Sequence, residues 1–314
     1  MDVPVQPPEE EVMMQPGNES VVEVRNLSKK FGAVQAVNDL SFTVRPGRVT
    51  GFLGPNGSGK TTSRRVLLGL VGATSGTATI GGRAYRDIAD PLRTVGAALE
   101  AASFHPGRSA RNHLRIQASA NGISADRVGA VIDIVGMGEY ADRRVGGYSM
   151  GMRQRLGLAT AMLGDPSVLV LDEPINGLDP EGIRWIRSFL RALAAQGRTV
   201  LVSSHMLSEV QQSVDDVLII AGGRLVRTGT IADLEAETAP QVLVDADDRQ
   251  ALATALTTAQ LAFTFSDQGF LIPGGDAAAV GRIAFNAAIP LTTLHKQTVS
   301  LEDTFLALTA GRAA

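Results

Sequence analysis

The chain has 314 residues, 44% of them hydrophobic, with a net charge of −3 and no cysteine. That length favours about two domains with a sizeable core, and no apolar run approaches the roughly 18–20 residues needed to cross a bilayer. The lack of cysteine excludes a disulfide framework and thiolate chemistry, and the absence of a long basic run argues against nucleic acid as the main ligand.

The first twenty residues carry four prolines and five acidic residues without a Lys or Arg. They lack the basic start and apolar stretch of a secretory signal, and residues 1–20 read as a disordered tail. Alternation at Val22 and Val24, and again at Phe42 and Val44, predicts half-buried strands. Residues 49–53 predict a strand leading into GPNGSGKT (54–61), and KTTSRRVLLGLV (60–71) predicts a helix. A segment from about 101 to 148, rich in Arg and helix formers, predicts a helical insert beside a sheet. Short apolar β-branched runs at 168–171 and 199–202 predict central strands of a parallel sheet covered on both faces. Residues 217–221, Gly222-Gly223 and 224–228 predict a hairpin. After Pro240 the pattern restarts with a strand at 242–244, a helix at 249–261, strand pieces within 263–272, a helix at 277–288, a strand near 291–295 and a helix from Leu301. Residues 237–314 therefore read as a separate α+β domain.

GPNGSGKT fits G-x-x-x-x-G-K-[ST], a loop that holds phosphates when a strand precedes it and a helix follows. Gly54, Gly57 and Gly59, with Pro55 and Asn56 between them, let consecutive N–H groups turn inward without Cβ clashes. Lys60 adds a cation for the β- and γ-phosphates at a helix N-terminus. Thr61 offers a hydroxyl to Mg²⁺, while Ser58 and Thr62 can donate to phosphate oxygens. Downstream, VLVLDEP (168–174) ends a buried strand on two carboxylates. Asp172, at the ligand-binding edge of an open α/β sheet, is assigned to Mg²⁺ through water. Glu173 is the candidate general base for the water that attacks the γ-phosphate; the plainer alternative is that both acids cap the next turn. His205 ends the strand VLVSSH, where it can bond the γ-phosphate and orient Glu173's water, or be an ordinary surface or core histidine. With Lys60, Glu173 and His205 make up the candidate catalytic set of an enzyme that binds and hydrolyses ATP.

YSMGMRQR (148–155), ahead of an apolar helix and just upstream of the Asp-Glu pair, resembles the LSGGQ signature of ABC-type ATPases. Ser149 suits a helix N-cap and Gly151 permits close backbone approach. The resemblance covers about residues 21–235 and implies an α/β fold: a P-loop ABC-type ATPase cassette with a mixed sheet core and a helical subdomain (about 101–148) within 21–236, plus the small C-terminal α+β domain. It further implies a homodimer in which Ser149, Gly151 and Met152 of one subunit complete the nucleotide site of the other. In that frame Phe31, in KKFG, stacks on adenine, or is a strand-core aromatic. Asp179 in INGLDP (175–180) acts across the dimer, and His205 matches the switch histidine.

The signature departs from the family at Tyr148, Met150 and Met152, and the expected glutamine upstream is replaced by Glu100. Glu100 can ligate Mg²⁺ or hold water, but adds negative charge near phosphates that only a metal beside it would offset; the alternative is a surface acid. Both departures, and VSLEDTFLALT at 299–309, resemble the ATPases of bacterial bacitracin-type antibiotic-resistance exporters. Ser300 and Asp303 would also make a capping-box-like helix start on their own. The resemblance implies ATP and Mg²⁺ as cofactors, a separate polytopic membrane permease as partner, and a place on the cytoplasmic face of the membrane. The substrate would be antibiotic-like and amphipathic. An import ATPase shares the same cassette chemistry. A soluble ABC ATPase acting on ribosomes or DNA is disfavoured, because there is one phosphate loop and no room for a long coiled coil between Lys60 and Ser149.

Overall fold

The structure is a computed structural model that describes residues 20–99, 104–237, 241–297 and 301–310. The expected tail, apart from Ser20, and the candidate Glu100 lie outside the described residues.

The chain opens with β1 (Val22–Phe31), β2 (Val34–Val44), β3 (Val49–Leu53), α1 (Lys60–Leu67), β4 (Ser75–Ile80), α2 (Pro91–Thr94) and β5 (Val95–Ala98). The helical insert follows as α3 (Ala110–Ala120) and α4 (Ala125–Ile134), and α5 (Met150–Ala161) starts in the signature-like segment. Then come β6 (Val168–Asp172), α6 (Pro180–Ala195), β7 (Thr199–Ser204), α7 (Leu207–Val210), β8 (Asp216–Ala221), β9 (Arg224–Thr230) and α8 (Ile231–Glu237). The chain continues through β10 (Gln241–Ala246), α9 (Arg249–Thr258), β11 (Thr264–Ser266), β12 (Gly269–Pro273), α10 (Ala277–Asn286), β13 (Leu291–Gln297) and α11 (Leu301–Ala310).

A six-stranded sheet of order β5-β6-β7-β3-β8-β9 forms the centre, parallel except for β9, which pairs antiparallel with β8 as the predicted hairpin. Period-two alternation divides its side chains between two cores. Val49, Leu53, Leu169, Leu171, Val200 and Val202 face the core that holds α3 to α6. Phe52, Val168, Val170, Leu201, Leu218 and Ile220 face α1 and the three-stranded antiparallel sheet β2-β1-β4. Burial on both faces explains why these strands read as continuous apolar runs. The helix expected over 60–71 stops at Leu67, and Gly69 follows at φ 68°, a left-handed turn that breaks the helix.

The C-terminal strands form their own antiparallel sheet of order β11-β12-β10-β13. With α9 and α10 they follow a β-α-β-β-α-β path, the ferredoxin-like arrangement, around Val242, Val244, Leu252, Leu256, Phe270 and Val280. The last helix departs from expectation. Placed by the sequence with the C-terminal domain, α11 instead packs on α7, β8 and β9, and Phe305 is buried in the core of the large sheet. Its apolar residues therefore tie the chain end back to the central sheet.

Candidate active site

Parallel strands bring their C-terminal ends to one edge of the sheet, so the segments that follow β3, β6 and β7 converge there. The segment after β3 is the glycine loop. A Cβ at Gly54 would lie 2.3 Å from the Ile220 carbonyl oxygen, and Gly59 sits at φ 102° with the Ala36 carbonyl 2.5 Å from where a Cβ would be. Only glycine fits either position. The loop wraps a cavity of about 730 Å³ lined by residues 55–62 and, across from them, Asp172 and Glu173. Lys60 is 6% exposed. Its ammonium donates to the carbonyls of Gly54 and of Pro55, the latter at 3.2 Å. Burial holds the Lys60 ammonium below its ordinary value of 10.5, with Glu173's negative charge opposing that shift. The Ser58 hydroxyl is buried and finds no hydrogen-bond partner among the described residues. A cation bonded to its own loop and an orphaned hydroxyl make an anion cradle in which phosphate oxygens would satisfy both.

Glu173 leaves the end of β6 at φ 46°, an unusual backbone for a non-glycine residue, and its N–H donates to the Ser203 carbonyl at 3.2 Å. That turn directs its carboxylate to His205, whose Nδ1 lies 3.0 Å from Glu173 Oε2. In the neutral ring Nδ1–H donates to the carboxylate and Nε2 is left as an acceptor. Donation from Nε2 to a phosphate oxygen then requires the charged imidazolium, a refinement of the role expected for His205. Asp172 accepts from the Ser203 hydroxyl at 2.7 Å and pairs with the guanidinium of Arg64. Thr61 also contacts Arg64, accepting at its hydroxyl at 3.1 Å.

Other expected residues sit elsewhere. Phe31 is 50% exposed, so it is not a core residue; the Lys29 ammonium stands 4.8 Å from its ring centre. It is not among the residues lining the cavity, which include Val34, its partner across the β1–β2 turn, with Gln35 and Ala36. Ser149 caps α5 by accepting from Met152 N–H at 3.3 Å, and Asp179 caps α6 by accepting from Gly182 N–H at 2.7 Å. Ser149, Gly151, Met152 and Asp179 line a separate cavity of about 170 Å³ rather than the phosphate pocket. Tyr148 explains its departure from leucine. Its ring packs edge-on to Tyr140, its hydroxyl donates to the Tyr140 carbonyl at 2.7 Å, and burial pushes that hydroxyl up to about 12.

Sequence reasoning missed Arg64, Ser203, Gln35, Arg153 and Gln154, all but Ser203 on the pocket wall. One of them was accessible: Lys60, Ser63, Arg64 and Leu67 form the buried stripe of α1, at the spacing of a helix face. The others depend on which strands become neighbours.

Residues 37–176 match the family described as ABC transporter, and residues 240–302 match one described as a domain of unknown function, DUF8746. The bacitracin transport ATP-binding protein BcrA of Enterococcus faecalis is 35% identical over 300 residues, covering 93% of this chain and 97% of that protein. The protein of the same description from Bacillus licheniformis is 41% identical over 209 residues, 66% of this chain and 68% of its own length. Among solved structures, an ATP-binding subunit of an ABC transporter aligns with a TM-score of 0.62 at 26% identity, over 69% of this chain and 93% of the other.

Proposed function

This chain belongs to the ATP-binding proteins of ABC transporters and is an ATPase, and we propose that it powers export of an amphipathic, antibiotic-like compound through a separate polytopic membrane permease. The observation that carries the catalytic part is Glu173, which lines the pocket across from the phosphate loop with His205 behind it at 3.0 Å. Glu173 accepts the proton of the attacking water, and His205 orients that carboxylate. Lys60 exchanges its two loop carbonyls for β- and γ-phosphate oxygens, and the loop N–H groups and the Ser58 hydroxyl complete the cradle. Thr61 and Asp172 are oxygen donors of the kind Mg²⁺ prefers and lie close enough to share one guanidinium. They would hold the ion, which would supply charge neutralisation on the β- and γ-phosphates.

The dimer reading is supported by the position of Ser149, Gly151 and Asp179 outside their own subunit's phosphate pocket, where they can serve a second copy's nucleotide. Closing that dimer on ATP and opening it after hydrolysis shifts the permease between two states, provided ATP binds the closed form more tightly. In this reading the chain acts from the cytoplasmic face through the permease; no helix among the described residues is long and apolar enough to cross a membrane. The assignment of residues 21–236 to the cassette and 237–314 to an accessory domain is part of the same proposal, with α11 bridging the two. The export reading draws on the relatives named for bacitracin transport.

The test is ATP-driven movement of a labelled peptide antibiotic in inverted membrane vesicles carrying the chain and its permease. Accumulation that is lost with Glu173→Gln supports export. Uptake only in right-side-out vesicles overturns it in favour of import.

A further inference from the structure

The least expected group in the pocket is Arg64, whose side chain is 2% exposed. It sits one helical turn after Lys60, and its Nε donates to the Lys60 carbonyl at 3.3 Å. One nitrogen of the fork meets the Ser203 hydroxyl and the Asp172 carboxylate, and the other donates to Thr61 Oγ1 at 3.1 Å. The guanidinium thus bridges the two oxygens assigned above to the metal.

We propose that Arg64 is a positioning residue that acts as a built-in counter-cation for Asp172 and Thr61, holding the pocket ready for ATP without a divalent metal by occupying the oxygens that would hold Mg²⁺. The charge balance supports this. Of the charged groups lining the pocket, Lys60, Arg64 and Arg153 more than offset Asp172 and Glu173, so a metal-free triphosphate meets no net repulsion there. Without Arg64 the Asp172 carboxylate would lose its ion pair and face the phosphates uncompensated unless a divalent cation were held there. The planar fork can also touch two oxygens at fixed spacing, which a point ammonium cannot. The inference rests on the metal-side reading of Thr61 and Asp172.

The experiment measures the dissociation constant of a fluorescent ATP analogue, in EDTA and in Mg²⁺, for the wild-type chain, Arg64→Met and Arg64→Lys. The wild type is expected to bind in EDTA within about tenfold of its Mg²⁺ affinity. Arg64→Met is expected to widen that EDTA-to-Mg²⁺ ratio roughly tenfold to a hundredfold, the worth of hydrogen bonds to a charged group, with Arg64→Lys nearer the wild type. A purely structural role would weaken both affinities alike, and that result overturns the proposal. Should Arg64→Met fail to fold, the wild-type ratio decides: strict dependence on Mg²⁺ overturns the proposal while leaving the nucleotide site intact. No binding in either buffer refutes the nucleotide site itself, and the proposal with it.

Discussion

Replacing Glu173 by Gln tests the catalytic geometry with the smallest change available. The substitution keeps the side chain's size and leaves the backbone anchored by the Glu173 N–H to the Ser203 carbonyl at 3.2 Å. The amide oxygen can still accept from His205 Nδ1, now 3.0 Å from the carboxylate, so the ring keeps its orientation. Only the proton-accepting charge is lost. A positioned general base contributes about 10²–10⁴-fold, or about 3–5 kcal/mol of barrier, and hydrolysis should fall by that amount. Nucleotide affinity should hold or tighten, because the variant removes a negative charge facing the phosphates while Lys60 and the loop are untouched. Phosphate release under single-turnover conditions gives the first quantity. Equilibrium binding gives the second, and size-exclusion chromatography with ATP should show an accumulated dimer. Hydrolysis at the wild-type rate would refute the assignment of the base, and loss of ATP binding would refute the claim that Glu173 is separable from the cradle.

Lys60→Ala should abolish tight nucleotide binding measured by calorimetry, and unchanged affinity would contradict the cradle. Because burial already holds the Lys60 ammonium below 10.5 and bound phosphates would raise it, wild-type ATP affinity should decline as pH rises toward the free Lys60 value, and the alanine variant should lack that decline. Phe305→Ala should destabilise the central core by about 3–5 kcal/mol, read from the denaturant transition of Trp185, the one tryptophan, which stacks on Phe189 at 5.2 Å. Phe270→Ala, in the separate C-terminal core, should leave that transition in place; the reverse pattern would contradict the docking of α11. His113 is held below 6.5 by burial and then by Arg108's charge, so its neutral form is favoured in the fold. Its stability contribution is complete above the unfolded value of about 6.5 and is lost as pH falls below it toward the folded value. Urea titrations at pH 7.5 and 5.5 should show a smaller difference for His113→Phe than for the wild type, and equal differences would refute the assignment.

The two-faced strands and the phosphate loop were legible because their signals are local. Val168–Leu171 alternates between cores residue by residue, and the turn that Gly54 and Gly59 must make admits no other side chain. Asp172 and Glu173 could be named from the strand that precedes them, but their partners could not. The contact of Asp172 with Ser203 and Arg64 needs β6, β7 and α1 to be neighbours, and β6 pairs with β7 only in the folded sheet. Arg64 itself was hidden by expectation. An arginine in KTTSRRVL reads as surface, although the spacing of Lys60, Ser63 and Leu67 places it on the buried face. The last helix was misplaced for a related reason. Its apolar residues announce burial but not against which core, and α11 lies on α7, β8 and β9 instead of the sheet next to it in sequence. Tyr148 illustrates the opposite case: a departure at a signature position that proves to be a packing choice, with its hydroxyl satisfied by Tyr140.

The central claim, an ATPase that acts by driving a membrane partner, is tested most directly by purifying the chain from detergent-solubilised membranes of its native host and identifying what comes with it. A polytopic membrane protein should co-purify in fixed stoichiometry, raise the ATP turnover of the wild-type chain and leave Glu173→Gln inactive. Recovery of the chain with ribosomes or DNA, or alone with turnover that no membrane protein changes, would contradict the claim.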